Sequence, residues 1–120
     1  MAGEIVHYEI AAKDADRAVA FWGGLFGWQF GASGMPEMDY RMAQVSSSSG
    51  AAIYQADDVD GHPRVYHDVS DIDAALAKVQ ELGGKAEDKA PVPGHGWFAA
   101  CSDTEGNAFF LWQNDPSAGQ

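Results

Sequence analysis

The sequence predicts an α+β fold in which one supersecondary unit, strand, helix and three strands, is used twice, and three observations predict it. The phrase Asp14-Ala15-Asp16-Arg17-Ala18 returns as Asp71-Ile72-Asp73-Ala74-Ala75. Each copy follows an extended run and opens an apolar pattern of helical period. Each helical pattern then gives way to three short extended runs parted by turn residues. Half of such a chain cannot bury its own apolar face, so the two units must pack or pair to make a core, and pockets tend to form at internal interfaces of that kind.

Residues 4–12 alternate as a strand, with Val6, Tyr8 and Ile10 on one face and His7 and Glu9 on the other. Asp14 is placed to cap the following helix. Ala18, Phe21, Trp22, Leu25 and Phe26 fall on one apolar stripe, and Gly27 ends it. Gly23 and Gly24 inside this helix each cost up to about 1 kcal/mol relative to alanine and have no reason in the sequence beyond close packing. Three strands follow at roughly 28–33, 39–46 and 51–56, with turns at Gly34 to Pro36 and at Ser46 to Gly50. Asp57 to Pro63 is acidic and turn-like, and joins the halves.

The second half repeats the plan. A strand at 64–69 precedes a helix at 71–83 whose inner stripe is Ile72, Ala75, Leu76, Val79 and Leu82. Strands near 85–90, 97–102 and 108–114 follow, with Pro91, Pro93, Gly94 and Gly96 punctuating one gap and Asp103 to Asn107 turning in the next. The chain reads as one domain over 1–115, with modules at about 4–57 and 62–114 and a polar, frayed tail at 116–120.

Composition narrows the function classes. The 120 residues are 46% hydrophobic, enough for one modest core. Eighteen acidic residues against 7 basic ones give a net charge of -11. Nucleic acid and anionic membrane surfaces both need a basic footprint, so neither is an expected partner. The charge keeps the domain soluble and tolerates a cationic ligand. No apolar run is long enough to span a bilayer, and Met1 to Glu4 lacks the basic and apolar regions of a secretory signal, so a cytoplasmic location is the expectation. Cys101 is the single cysteine. It forms no internal disulfide and reads as a small buried apolar residue.

The closing stretch Ser-Asp-Thr-Glu-Gly-Asn-Ala-Phe-Phe-Leu-Trp-Gln at 102–113 resembles the closing motif of the vicinal oxygen chelate superfamily, the glyoxalase, bleomycin-resistance and extradiol dioxygenase relatives. Val-His-Tyr-Glu-Ile at 6–10, with Ala-Phe-Trp and Leu-Phe-Gly-Trp between 20 and 28, is similar to the opening of that superfamily's first module. The resemblance covers about 4–114. It implies paired βαβββ modules forming an open eight-stranded cup, and a homodimer, because single-domain members usually pair modules across subunits and an open cup leaves strand edges to cover.

It also implies a divalent metal held by side chains from the strands, polarising an oxygen or activating dioxygen. Carried over position by position, the first-strand ligand falls on His7. The matching position of the second module is Arg64, whose guanidinium has no lone pair to give. The closing-strand ligand, usually glutamate, falls on Phe110. No acidic residue or histidine occurs from Ser47 to Ala56, where a further ligand belongs. A mononuclear site needs about three protein ligands, so the expectation is no metal cofactor, the alternative being one divalent ion on His7 with Glu9.

The candidate site residues follow. His7 and Glu9 point to the same side of one strand and can act as a general base with its orienting partner, or form an inert buried pair. Arg64 and Tyr66 repeat the geometry in the second module. Arg64 either neutralises a glutamate or clamps a ligand carboxylate or phosphate. Phe110 and Trp112 share a side if Phe109 and Leu111 pack on the helices, giving an aromatic floor for a planar ligand or simply more core. His67 alternates with Val65 and Val69 toward the helix layer, while His62 and His95 lie in turns, so these three do not read as a zinc site. The leading expectation is a small-molecule-binding protein with its ligand in a cavity between the modules. It lacks the superfamily's complete metal site and uses His7 and Glu9 for any acid-base chemistry. The alternatives are a metal-dependent lyase, isomerase or dioxygenase, and a drug-sequestering resistance protein.

Overall fold

A computed structural model of the chain describes residues 3–32 and 38–120, and these form two compact units, Val6–Arg64 and Met1–Ile5 with Val65–Gln120. The expected turn at Gly34 and Pro36 lies outside the described residues. In chain order the elements are β1 (Ile5–Ala12), α1 (Ala15–Phe26), β2 (Gly31–Ala32), β3 (Tyr40–Gln44) and β4 (Gly50–Gln55), then β5 (Arg64–Asp68), α2 (Ile72–Glu81), β6 (Lys85–Ala86), β7 (Ala90–Val92), β8 (Gly96–Ser102) and β9 (Ala108–Asn114). Among the described residues, no helix is long and apolar enough to cross a membrane.

In the first unit the strands run β2-β3-β4-β1, with β1 parallel to β4 and the other pairs antiparallel. In the second, β5 pairs in parallel with β9, which pairs with β8, and β6 and β7 both border β8. Both are βαβββ modules, so the fold class is the α+β repeat that the sequence predicts. The repeated aspartates begin both helices. Asp14 is extended (φ -136) and accepts from Arg17 N–H at 3.0 Å, and Asp71 (φ -140) accepts from Ala74 N–H at 3.1 Å. Each satisfies a helix-start donor that has no partner within the helix. Gly27 closes α1 at φ 75, a left-handed conformation that glycine adopts without strain.

Several expected details differ. The buried face of α1 is Ala15, Ala18, Val19 and Trp22, packed on Ala12 and Ile53, whereas Phe21, Leu25 and Phe26 are 61%, 58% and 55% exposed. The helix is apolar around more than half of its circumference, and the sheet takes the side that carries Ala15, Ala18, Val19 and Trp22. Gly23 has a structural reason, since a Cβ there would lie 3.0 Å from the Trp28 carbonyl oxygen, while one at Gly24 would meet nothing within 4 Å. Among the described residues, the strand expected at 28–33 comprises Gly31–Ala32 alone. Trp28 instead stacks on Trp22, centroids 5.8 Å apart, and packs against Phe26.

In the second unit Leu82 leaves the inner stripe, because α2 ends at Glu81 and Leu82 is its exposed cap. The strand expected at 85–90 is two short pieces, β6 and β7. Pro91, expected in a gap, sits in β7, which pairs with β8. The tail is not frayed: Ala118 is fully buried, and its carbonyl accepts from Gly94 N–H at 3.0 Å. Cys101 is buried, and burial pushes its thiol pKa up, so it behaves as the apolar residue expected of it.

Candidate functional site

Strand register decides which side chains of the first unit share a face. His7 lies opposite Gly50, Glu9 opposite Ala52 and Ala11 opposite Tyr54. On the far side of β4, Gln44, Met42 and Tyr40 stand opposite Gly50, Ala52 and Tyr54. Side chains of paired residues point the same way, so His7, Glu9, Tyr40, Met42 and Tyr54 occupy one face. Ile10 and Ile53 lie on the other, against α1.

Tyr40 is the residue that sequence reasoning missed. Its strand is separated from β1 by β4, two interstrand spacings or about 9.5 Å. Its side chain nonetheless reaches two residues of β1. The phenol hydroxyl lies 2.7 Å from His7 Nε2 and donates to Glu9 Oε2 at 2.7 Å. The imidazole and phenol rings are 6.3 Å apart at 27°. The available signal was the phase of β3: with Ala43 buried and Arg41 paired to Asp16 of α1, Tyr40 had to face the His7 side.

Burial holds the His7 pKa below its ordinary value, against the pull of the nearby Glu9 charge. The imidazole is therefore neutral near pH 7 and has a lone pair with which to take a proton. Arg64, at the end of this unit, is exposed and places its guanidinium 5.4 Å from the centre of the Tyr54 ring, a cation-π contact on a residue of the same face.

The other expected site residues belong to the second unit. Tyr66 is buried, stands opposite Phe110 in the ladder and stacks on it at 4.6 Å and 19°. Phe98 stands opposite Trp112. A Cβ at Gly96 would lie 2.6 Å from the Trp112 ring, so that position admits no larger residue while the indole keeps its place. Phe109 and Leu111 pack on α2 through Ile72 and its neighbours, which puts Phe110 and Trp112 on the opposite face, as alternation requires. His67 accompanies Phe109, edge-on at 6.1 Å, and its Nδ1 contacts the Gly3 carbonyl at 2.8 Å.

The donors present do not fit the superfamily's metal. A divalent ion shared by His7 and Glu9 needs to lie about 2.0–2.2 Å from each. The Tyr40 oxygen already stands between them, within hydrogen-bond distance of both. At the two further positions that the resemblance assigns to ligands, the sequence has Arg64 and Phe110, whose side chains offer no lone pair. Among the described residues, no three or more His, Cys, Asp or Glu side chains group so as to hold a metal ion.

With the geometry in view, the class of protein is plain: the profile of the Glyoxalase-like domain matches residues 7–112, and the chain belongs to that family, within the vicinal oxygen chelate superfamily. Its fold is the glyoxalase/bleomycin resistance/dioxygenase fold. Among solved structures it is similar to methylmalonyl-CoA epimerase from Mycobacterium tuberculosis (16% identity, 95% of this chain and 89% of that one, TM-score 0.70). It is likewise similar to a hypothetical protein from Bacillus halodurans (15% identity, 98% and 99% covered, TM-score 0.74). A third is the Streptomyces coelicolor methylmalonyl-CoA epimerase in complex with 2-nitronate-propionyl-CoA (17% identity, 100% of each chain, TM-score 0.72). At these identities the likeness is one of fold. A search of curated proteins finds no match.

Proposed function

We propose that this protein binds a small organic molecule against the face that carries His7, Glu9 and Tyr40, and that His7 serves there as a proton acceptor without a metal. The observation that supports the reading is the hydrogen-bonded chain from His7 through Tyr40 to Glu9. A neutral imidazole next to a phenol and a carboxylate is the equipment of general acid-base chemistry, and it needs no Lewis acid. Arg64 supplies a cation for a ligand carboxylate or phosphate. Tyr66, Phe110 and Trp112 are the kind of aromatic surface on which a planar ligand stacks.

The solved epimerases of the same fold include one bound to methylmalonyl-CoA, so coenzyme A thioesters are the first probes to try. Metal-stripped protein incubated with methylmalonyl-CoA, propionyl-CoA and small aromatic acids in deuterium oxide is read by saturation-transfer and exchange NMR. Binding is expected for at least one probe, weakened by His7→Ala. Where deuterium enters the ligand, His7→Ala slows exchange by about 10²–10⁴-fold. If every probe that binds does so equally well to His7→Ala, the reading fails.

A further inference from the structure

The direction of the hydrogen bonds around Tyr40 is set by its neighbours. An ionised carboxylate carries no proton, so Glu9 Oε2 accepts and the Tyr40 hydroxyl donates to it at 2.7 Å. A phenol has one hydrogen. With that hydrogen directed at Glu9, the oxygen offers His7 only lone pairs. The 2.7 Å approach to Nε2 is then a hydrogen bond only if Nε2 bears a proton. A neutral imidazole is protonated on one nitrogen alone, which leaves Nδ1 as the acceptor. The residue beside Nδ1 is Gly50, opposite His7 in the β1–β4 ladder. A Cβ there would lie 3.8 Å from Nδ1, so the sequence puts no side chain against that nitrogen from β4.

We infer that Tyr40 is a positioning residue: polarised by Glu9, its hydroxyl holds His7 as the Nε2–H tautomer and makes Nδ1 the atom that takes the proton. The inference rests on the proposed use of His7 as a base and adds which nitrogen acts and what orients it. It describes the protein without ligand, so it is tested without one.

Long-range proton–nitrogen NMR correlations on uniformly 15N-labelled protein, recorded above pH 7, report the tautomer of each histidine. His7 is assigned by the loss of its signals in His7→Asn. The wild type is expected to show hydrogen on Nε2, in slow exchange with water, and none on Nδ1. Tyr40→Phe keeps the ring but removes the oxygen, and should abolish the slow exchange. Glu9→Ala leaves Tyr40 in place but frees its hydrogen to turn toward Nε2, and should shift His7 toward hydrogen on Nδ1. A role for Tyr40 in packing alone predicts no such response to Glu9. Hydrogen on Nδ1 in the wild type, or a tautomer ratio unmoved by Glu9→Ala, overturns the inference. If Tyr40→Phe does not fold, the wild-type and Glu9→Ala spectra decide. A wild-type Nε2–H that responds as expected, in a protein whose ligands ignore His7, would leave this inference standing and remove the proposed function.

Discussion

Gln55 and Gln113 do the same work in the two modules. Gln55 is the last residue and Gln113 the last but one of the strand that ends its module, and each side-chain carbonyl accepts from the first N–H of that module's helix: Ala15 N at 3.0 Å and Ile72 N at 2.8 Å. Gln55 also donates to the Lys13 carbonyl. A helix start is thus held by its own aspartate cap and, from the side, by the strand that ends the module. Asp14→Ala and Asp71→Ala should each lower stability by about 1 kcal/mol. Gln55→Ala and Gln113→Ala should cost about 0.5–1.5 kcal/mol. Urea unfolding of the four variants checks this. Equal midpoints for wild type and Gln113→Ala would show that the bond to Ile72 contributes nothing.

Buried His7 makes stability depend on pH. Its folded pKa is lowered by burial, with Glu9 opposing. Above the unfolded value of about 6.5 the imidazole is neutral in both states and contributes no slope. As pH falls below that value the unfolded chain takes the proton first, so stability declines until the folded pKa is passed. Thermal melts from pH 7.5 downward should therefore lose stability across this window, and His7→Gln should flatten that part of the curve. Matching curves for the two proteins would place the titration elsewhere.

The place of Gly50 beside His7 Nδ1 makes a second substitution informative. Gly50→Val brings a branched side chain against the Ala43 carbonyl, already 3.2 Å from a Cβ at that position, and toward His7 Nδ1. The cost expected is about 1–3 kcal/mol from overpacking, with loss of probe binding beyond what stability explains. Full probe binding by a folded Gly50→Val would argue against approach of the ligand to Nδ1.

The repeat was legible in the sequence because helix starts are local: an aspartate cap and the apolar turn after it lie within five residues of each other. That His7 and Glu9 share one strand face was legible too, since strand alternation is also local. Tyr40 was not, because its role depends on the order β3-β4-β1 and on the register of those strands, facts that belong to strand pairing rather than to any one segment. The stripe of α1 misled for a related reason. Where apolar residues cover most of a helix, period alone does not say which of them the sheet buries.

The donor geometry bears directly on metal content. With the Tyr40 oxygen between His7 and Glu9, protein expressed without an affinity tag should contain well under one equivalent of zinc, nickel, cobalt or iron. His7→Ala should leave that content unchanged. Elemental analysis showing stoichiometric metal that disappears in His7→Ala would restore a metalloenzyme reading and mean that Tyr40 swings aside to admit the ion.

The resemblance predicts a homodimer, and the exposed apolar face of α1 is the surface we propose for it. Phe21, Leu25 and Phe26 are each more than half exposed on a helix whose other face is already packed. Complete burial of a large apolar side chain is worth about 1.5–3 kcal/mol, so three such residues per chain are a substantial driving force for pairing. The charge of -11 on each copy acts against it, and salt screens that repulsion. Light scattering at micromolar concentration should give twice the 12.8 kDa chain mass, with dimer strengthened by added salt. Phe21→Lys with Phe26→Lys should shift the protein toward monomer while its far-ultraviolet circular dichroism is kept. A wild-type monomer at low and high salt alike would leave the exposed face of α1 without this role.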